Sequence, residues 1–306
     1  MKVLFVCSGN SKDGKPKTVV NNQALSLQKY GVEISFFLIN KKGIKGYLQS
    51  VKPLKKHIIN EKFDVIHSHF SLSAFTATLA LRNQNKLPHV VSLMGSDAQV
   101  SGWKRVLTRY LSNKIWNKTI VKSQKMADDL SLKNYEIIAN GVDLDKLIPI
   151  EKSTQNLCKT LLFAADPSRE SKNYKLAKEA LDYLPNKHYE LKVVYNKSHS
   201  ELIQEINNCD CVLLTSKWEG SPNIIKEALA LNKPIVATKV GDVPLLISKL
   251  EGCYLTEMDA IEISEAIKKA VGFTETQGRK RILELKLDDK AVSNQIISIY
   301  NELHAK

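Results

Sequence analysis

The sequence predicts an α/β protein built from two doubly wound parallel-sheet domains, on three observations. Short β-rich runs alternate with amphipathic helical patterns along the whole chain, the pattern that strand–helix–strand crossovers leave in a sequence. The alternation lapses in a polar stretch, Pro149–Asn156, and restarts at Lys159. The length, 306 residues, suits two domains of about 150 residues, each large enough to bury its own core.

The elements follow in order. KVLFVCS (2–8) reads as a strand, and TVVNNQALSLQKYG (18–31) as an amphipathic helix with Gly31 at its C-terminal cap. VEISFFLI (32–39) is the next strand. YLQSVKPLKKHIINEKF (47–63) is helical in part and broken near Pro53. DVIHSHF (64–70) is a strand and SAFTATLALRNQ (73–84) a helix, and HVVSLMGS, KTIVKS and YEIIANGV close the first set of strands. The second set is KTLLFAADPS, LKVVYN, CVLLTS, PIVATKVG and GCYL, with helices expected at Lys175–Leu184, Ser200–Asn207, Asn223–Leu231 and Ala260–Val271. Asp288–Leu303 reads as one more helix. The expected domains are therefore 1–150 and 151–287, with residues 288–306 a closing helix that packs back toward the first domain.

Composition removes several classes of protein. The chain opens on MKVLFVCSGN with no signal-peptide pattern. Its apolar stretches are too short to span a bilayer. The five cysteines are scattered, and Cys209 and Cys211 fall in a strand-like run that reads as core. These features predict a cytosolic protein with reduced thiols. The net charge of +13 is unevenly placed: residues 1–150 hold 23 Lys and Arg against 10 Asp and Glu, while residues 151–306 hold 22 of each. Lys41, Lys42, Lys45, Lys52, Lys55, Lys56 and Lys62 form one cluster, and Lys104, Arg105, Arg109, Lys114 and Lys118 another. A solvated face, an anionic membrane surface and a nucleic acid are all open readings. A membrane rewards each basic residue by about 1 kcal/mol. No zinc-finger spacing or RNP-type aromatic motif supports nucleic acid.

Open parallel sheets carry their ligand sites at the carboxyl ends of their strands. Those ends are Ser8–Gly14, His67–His69, Gly95–Asp97, Asp166–Lys172, Tyr195–Asn196, Ser216–Asn223 and Lys239–Asp242. The stretch WEGSPNIIKEALALNKPIVATKVGDVPLLI (218–247) is the most informative. Ser221 suits an N-cap and Pro222 the first helical position, so the helix start offers unpaired N–H groups to an anion. Gly220 lets a ligand approach the backbone. Ile224, Ile225, Ala228, Leu229 and Leu231 form the buried stripe, with Lys226 opposite in solvent. Glu227 falls about 40° outside the stripe, on the Asn223 side, where a carboxylate meets ligand hydroxyls. Spacing alone leaves a second reading open, in which Glu219 complements the helix dipole and Glu227 is solvated surface.

EGSPNIIKE (219–227) resembles the E-x7-E motif of retaining glycosyltransferase family 4, a large family of nucleotide-sugar-dependent enzymes with the GT-B fold. The following ALALNKPIVATKVGDVPLLI resembles the family's next strand and Gly-rich loop. DVIHSHF, VVSLMGSD and IIANGVD resemble its first-domain His strand, its next strand-end loop and its connection to the second domain. The resemblance implies two Rossmann-like domains facing a cleft, with the donor on the second and the acceptor on the first. It implies that Glu227 binds the donor ribose and that Glu219 contacts the donor sugar. Backbone N–H groups near Ser221, Pro222 and Asn223, beside Gly220, would reach sugar or phosphates. Arg169 and Lys172, in ADPSRESKNY, resemble the basic pair on the diphosphate, an arrangement that replaces a divalent metal. His69 resembles the active-site His near the reacting sugar. His67 shares its strand face, so a metal-binding pair is a rival reading without an evident third ligand.

Some positions depart from the family pattern. The first-strand loop, SKDGKPKTVV, keeps Gly14 near the expected donor phosphates but follows it with Lys15 and Pro16. Asp166 stands where an Arg usually follows the second domain's first strand, and Met94 where a His often precedes Gly95. The resulting expectation is a metal-independent retaining glycosyltransferase without a cofactor. Its donor would be a UDP- or GDP-sugar. Its acceptor would be a glycan or a lipid-linked acceptor of bacterial capsule, O-antigen or exopolysaccharide. No nucleic acid is involved in this reading, and the basic first domain would rest on the inner face of the plasma membrane. A nucleotide-sugar epimerase of the same fold and a non-catalytic nucleotide-sugar-binding partner are the alternatives.

Overall fold

The computed structural model describes residues 1–10, 14–82, 87–98, 102–150, 158–185 and 188–305. It divides into two units, residues 1–141 with 289–306, and residues 142–288. The first unit holds strands β1 (Lys2–Ser8), β2 (Glu33–Ile39), β3 (Val65–His69), β4 (His89–Ser92), β5 (Lys118–Val121) and β6 (Tyr135–Ile137). They form one parallel sheet in the order β2-β1-β3-β4-β5-β6. Its helices are α1 (Thr18–Lys29), α2 (Gly43–Gln49), α3 (Val51–Asn60), α4 (Ser71–Ala80), α5 (Gly95–Ala98), α6 (Gly102–Lys114) and α7 (Gln124–Leu130).

The second unit holds β7 (Lys159–Phe163), β8 (Tyr189–Val193), β9 (Cys211–Leu214), β10 (Ile235–Thr238) and β11 (Cys253–Thr256). Their order is β11-β10-β9-β7-β8, again parallel. Its helices are α8 (Tyr174–Asp182), α9 (His199–Asn208), α10 (Asn223–Ala230), α11 (Val243–Ile247), α12 (Ala260–Ala270) and α13 (Gly278–Glu284). The last helix, α14 (Asp289–His304), belongs to the first unit.

Alternation along each strand builds a core on both faces of each sheet. Val3, Phe5 and Cys7 of β1 pack with Val20, Ala24 and Leu27 of α1. Leu4 and Val6, between them, pack with Leu54 of α3 and Ala77 of α4. In the second unit Val212 and Leu214 of β9 join α10, while Cys211 and Leu213 join α8 and α12. The cysteines of β9 are thus packing residues, and burial pushes the Cys211 thiol well up, away from reactivity.

Three sequence expectations shift. The helix expected to break near Pro53 breaks at Ser50, between α2 and α3. Pro53 has no N–H for the Gln49 carbonyl, so the ladder ends four residues ahead of the proline, which then sits in the first turn of α3. The chain passes from the first unit to the second at Gly141–Val142, ahead of the expected boundary at 150. Val142 and Leu147 pack in the second core, and Val142 N–H donates to the Leu287 carbonyl. The Arg279 guanidinium donates to the Leu144 and Leu147 carbonyls and ties the same segment down. Residues 151–157, which include most of the expected linker, lie outside the described residues. The closing helix begins at Asp289 and lays Val292, Ile296 and Tyr300 on α1, with Ser293 Oγ 2.6 Å from Ser26 Oγ.

Tyr300 is fully buried, and its hydroxyl lies 2.5 Å from His67 Nδ1. Tyr300→Phe leaves that buried nitrogen without a partner. It should lower stability by about 1–3 kcal/mol, read as a shifted urea midpoint at constant m.

Candidate active site

The strand order β8-β7-β9 places the switch point of the second sheet between β7 and β9. The loops leaving these two strands meet there. After β7 the chain makes a turn in which Asp166 Oδ1 accepts from the Ser168 N–H at 2.9 Å and its hydroxyl at 2.8 Å. Asp166 is therefore a turn former, and its backbone carbonyl accepts from the Arg169 N–H. The Arg169 side chain is exposed and forms no hydrogen bond among the described residues. A 3-10 turn, Glu170–Lys172, then delivers Lys172 to Glu219. Their ion pair is largely buried, with side-chain exposures of 15% and 16%. Ser216 Oγ donates to the same carboxylate oxygen at 2.8 Å. The backbones are joined as well, since Lys217 N–H donates to the Ser171 carbonyl and the Thr215 hydroxyl to the Lys172 carbonyl.

A third loop supports the second. Gly241 has φ of 55°, and a Cβ there would lie 2.3 Å from the Gly220 carbonyl oxygen. Both the left-handed backbone and the close approach require glycine. Asp242 N–H donates to the same carbonyl. The result is a fixed path for Glu219–Ser221 into the helix.

Helix α10 starts one residue later than the capping expectation for Ser221. Pro222, at φ −71° and ψ 121°, is the N-cap residue and no side chain caps the first turn. The Ser221 hydroxyl is instead buried beside the Asp242 carboxyl, and among the described residues neither it nor Asp242 Oδ1 makes a hydrogen bond of good geometry. The N–H groups of a helix start are an anion-binding feature, and α10 presents its first turn without a side-chain cap. Lys226 is not in solvent. It is fully buried, because the side of α10 away from the stripe is covered rather than wet. Burial lowers its ammonium to about 8, opposed by Asp242 and Glu227. Burial also pushes the Asp242 carboxyl up, against the Ser221 hydroxyl and the Lys226 charge beside it.

Glu227 lies one turn into α10, its side chain 12% exposed. Its carboxylate is bonded to His199 Nε2 at 2.9 Å. His199 is the first residue of α9, a helix started by a capping box of Ser198 and Glu201. The Glu227 carboxylate raises the His199 pKa, against desolvation and the charge of Lys146. The sequence reading placed this helix at Ser200 and passed over His199. The signal was present, since S-H-S-E is a capping-box pattern at a strand end.

The first unit carries the other expected residues at its own switch point, between β1 and β3. Gly14 is exposed at φ 66° in the loop after β1. His69 closes β3 and is fully buried, with neither ring nitrogen hydrogen-bonded among the described residues. It stacks on His67 at 4.4 Å and lies against Phe5 at 4.5 Å. Burial, then the nearby Lys122 charge, pulls its pKa down to about 3, so it is a neutral imidazole. His67 spends both ring nitrogens on Tyr300 and Ser92. Both His67 nitrogens are thus engaged by neighbouring hydroxyls, and among the described residues no three His, Cys, Asp or Glu are grouped to hold a metal ion. The buried Asp97 carboxylate accepts from the N–H groups of Ser71 and Met94, pinning the strand-end loop to α4.

Residues 3–146 match the description Glycosyltransferase Family 4, and residues 152–279 match Glycosyl transferases group 1. Taken with the two parallel sheets, the matches define a glycosyltransferase with the GT-B fold. The chain is 25% identical over 255 residues to an uncharacterized glycosyltransferase of Methanocaldococcus jannaschii, covering 75% of this chain and 72% of that one. It is 24% identical over 237 residues to a protein of Bacillus subtilis assigned as the teichuronic acid biosynthesis glycosyltransferase TuaC, covering 67% of this chain and 61% of TuaC. Among solved structures, sucrose-phosphate synthase from Thermosynechococcus elongatus superposes with a TM-score of 0.83 at 14% identity, over 100% of this chain and 99% of that one. Anabaena HepE in complex with UDP-glucose gives 0.75 at 15% identity, over 99% and 100%. These structural likenesses show the shared fold.

The buried neutral histidines predict an acid-labile first unit. His69 and His89 sit at about 3 when folded, against an ordinary 6.5. Their pKa values are depressed, so the unfolded chain takes up protons first as the pH falls. Their contribution is complete above about pH 6.5 and is lost progressively toward pH 3, at about 1.4 kcal/mol per pH unit for each histidine. Urea midpoints measured from pH 7.5 to 4 check the slope. His69→Phe should flatten it, and at pH 7 should raise stability by about 1–3 kcal/mol by deleting two unbonded buried nitrogens.

Proposed function

We propose that this glycosyltransferase moves a sugar from a nucleoside-diphosphate sugar to an acceptor hydroxyl with retention of anomeric configuration, using cationic side chains rather than a divalent metal. The observation that carries the reading is the Lys172–Glu219 pair at the switch point, beside the uncapped start of α10. The bond from the anomeric carbon to the diphosphate oxygen breaks, and negative charge gathers on the leaving phosphate. Lys172, Arg169 and the dipole of the α10 start stabilise that charge. The acceptor oxygen bonds to the anomeric carbon on the face the phosphate leaves. The acceptor's proton passes to the leaving phosphate oxygen. Glu219, relieved of Lys172 when phosphate arrives, contacts the donor sugar, and Glu227 accepts from the ribose hydroxyls. Roles for His69 beside the reacting sugar and Gly14 beside the phosphates complete the proposal.

A donor screen by thermal shift tests it. UDP- or GDP-sugar at 100 times its Kd should add about 2.7 kcal/mol of stability. Lys172→Ala should weaken UDP or GDP binding by about 1.5–3 kcal/mol, the value of a charge-assisted contact, and leave the bare nucleoside unchanged. Equal losses for both ligands would remove Lys172 from the phosphate site. Glu219→Ala should lower turnover more than donor affinity.

The likeness to TuaC supports a cell-surface polysaccharide as the product, built on a glycan or lipid-linked acceptor at the inner face of the plasma membrane. Helix α6 supports a membrane partner. Trp103, Val106 and Tyr110 lie along one stripe of it, each more than half exposed, and Lys104, Arg105, Arg109 and Lys114 flank them. Among the described residues no helix is long and apolar enough to cross a membrane. The protein should sediment with phosphatidylglycerol vesicles at low salt and come off at high salt, where surface charges are screened within about 8 Å or less. Neutralising Lys41, Lys42, Lys45, Lys55 and Lys56, or replacing Trp103 and Tyr110 by Ser, should weaken sedimentation without changing donor affinity. Equal sedimentation with neutral vesicles would overturn the membrane reading.

A further inference from the structure

We infer that His199 is a positioning residue of the ribose subsite, holding the Glu227 carboxylate ready for the nucleotide's hydroxyls. The inference rests on the reading of Glu227 given above. Among the described residues, His199 Nε2 is the one hydrogen-bond partner of the Glu227 carboxylate, at 2.9 Å on Oε1. The second oxygen, Oε2, is left for a ligand. A Glu side chain has three rotatable bonds, and an unheld carboxylate loses that freedom only when the ligand arrives. His199 removes it beforehand. The backbone that carries the ring is itself held, since His199 stands on the first turn of α9, where Ser198 and Glu201 close the capping box. A strand-end loop after β8 is thereby coupled to the motif helix after β9.

The pairing also gives the subsite a titratable part. Glu227 on α10 faces the ring, and Lys146, on the segment that enters the second unit, acts on it from another side. The buried Lys226 feels the same Glu227 carboxylate. Lys197 and Glu201 flank His199 on its own turn and pair with each other. Neutral His199 still donates from Nε2. Protonated, it competes more strongly for the carboxylate and leaves Glu227 a weaker acceptor for a hydroxyl. Donor affinity therefore falls as His199 protonates. His199 is raised above 6.5, so the fall begins at a pH above that value.

The test compares UDP with 2′-deoxy-UDP, and GDP with 2′-deoxy-GDP in parallel, by calorimetry on the full chain. The wild type should prefer the ribonucleotide by about tenfold or more, the value of a hydrogen bond to a charged acceptor. His199→Ala should weaken the ribonucleotide severalfold, barely change the deoxynucleotide, and shrink the preference to about twofold. His199→Gln, which offers a donor where Nε2 stands, should restore the preference but lose its pH dependence between pH 6 and 8. If Glu227→Ala removes the preference and His199→Ala does not, the positioning role is wrong and the ribose reading stands. If Glu227→Ala keeps the preference, or neither nucleotide binds the wild type, the ribose reading fails and this inference with it. Equal losses for ribo- and deoxynucleotide in His199→Ala would mark a merely structural role.

Discussion

Strands β7 and β9 lie side by side, while the helices that follow them pack on opposite faces of the sheet. The loops must diverge above the gap between the strands, and the polar ends of both are left facing one another there. Lys172 and Glu219, far apart in sequence, close on each other across that gap with Ser216. Everything proposed for the second unit depends on this meeting. The ion pair is largely withdrawn from water, so it is stable only with good geometry, and the backbone bonds from Lys217 to Ser171 and from Thr215 to Lys172 supply that geometry. In the proposed reading, a phosphate arriving at Lys172 exchanges one anionic partner for another, with the displaced carboxylate already in place.

Rigidity around the pair has a cost that the interior shows. Gly241 presses on the Gly220 carbonyl so closely that no side chain fits, and Lys226 is buried whole beside Asp242. A buried ammonium is expensive unless paired. Its presence on the motif helix, beside a carboxyl pushed up by the same burial, favours one arrangement of the 219–221 and 239–242 loops over others. In the first unit the same logic appears as neutral histidines. His67 is satisfied by Tyr300 and Ser92, whereas His69 has neither nitrogen bonded among the described residues. An unbonded buried polar side chain at a strand end is a liability in the free protein that a bound ligand or a task must offset.

Much of the architecture was legible in the chain, because it follows from local periodicity. The strands of both sheets and the longer helices α1, α4, α8, α9, α10, α12 and α14 were readable from alternation and from apolar faces. Helices α5, α7, α11 and α13 span no more than seven residues, too few for a helical period to emerge. Helix α6 was concealed by its charge: with so many basic residues and an exposed apolar stripe it resembles a surface loop more than a core helix. Of the candidate residues, Glu219, Lys172 and Arg169 were singled out by residue type at strand ends, Glu227 by its place on the helix, and all four by resemblance.

By itself the sequence determined the two parallel-sheet units, the strand ends that carry polar residues, and the Glu-Gly-Ser-Pro helix start. These rest on neighbours within a few residues, where backbone geometry and periodicity act. Only the tertiary structure decided that Lys172 pairs with Glu219, that His199 holds Glu227, that Lys226 is buried, and that Tyr300 closes over His67. Each of these joins residues whose proximity, or burial, is set by strand order and by which face a crossover helix covers. A helical wheel reports which way a side chain points, but whether water or protein lies there depends on loops that pack from elsewhere in the chain.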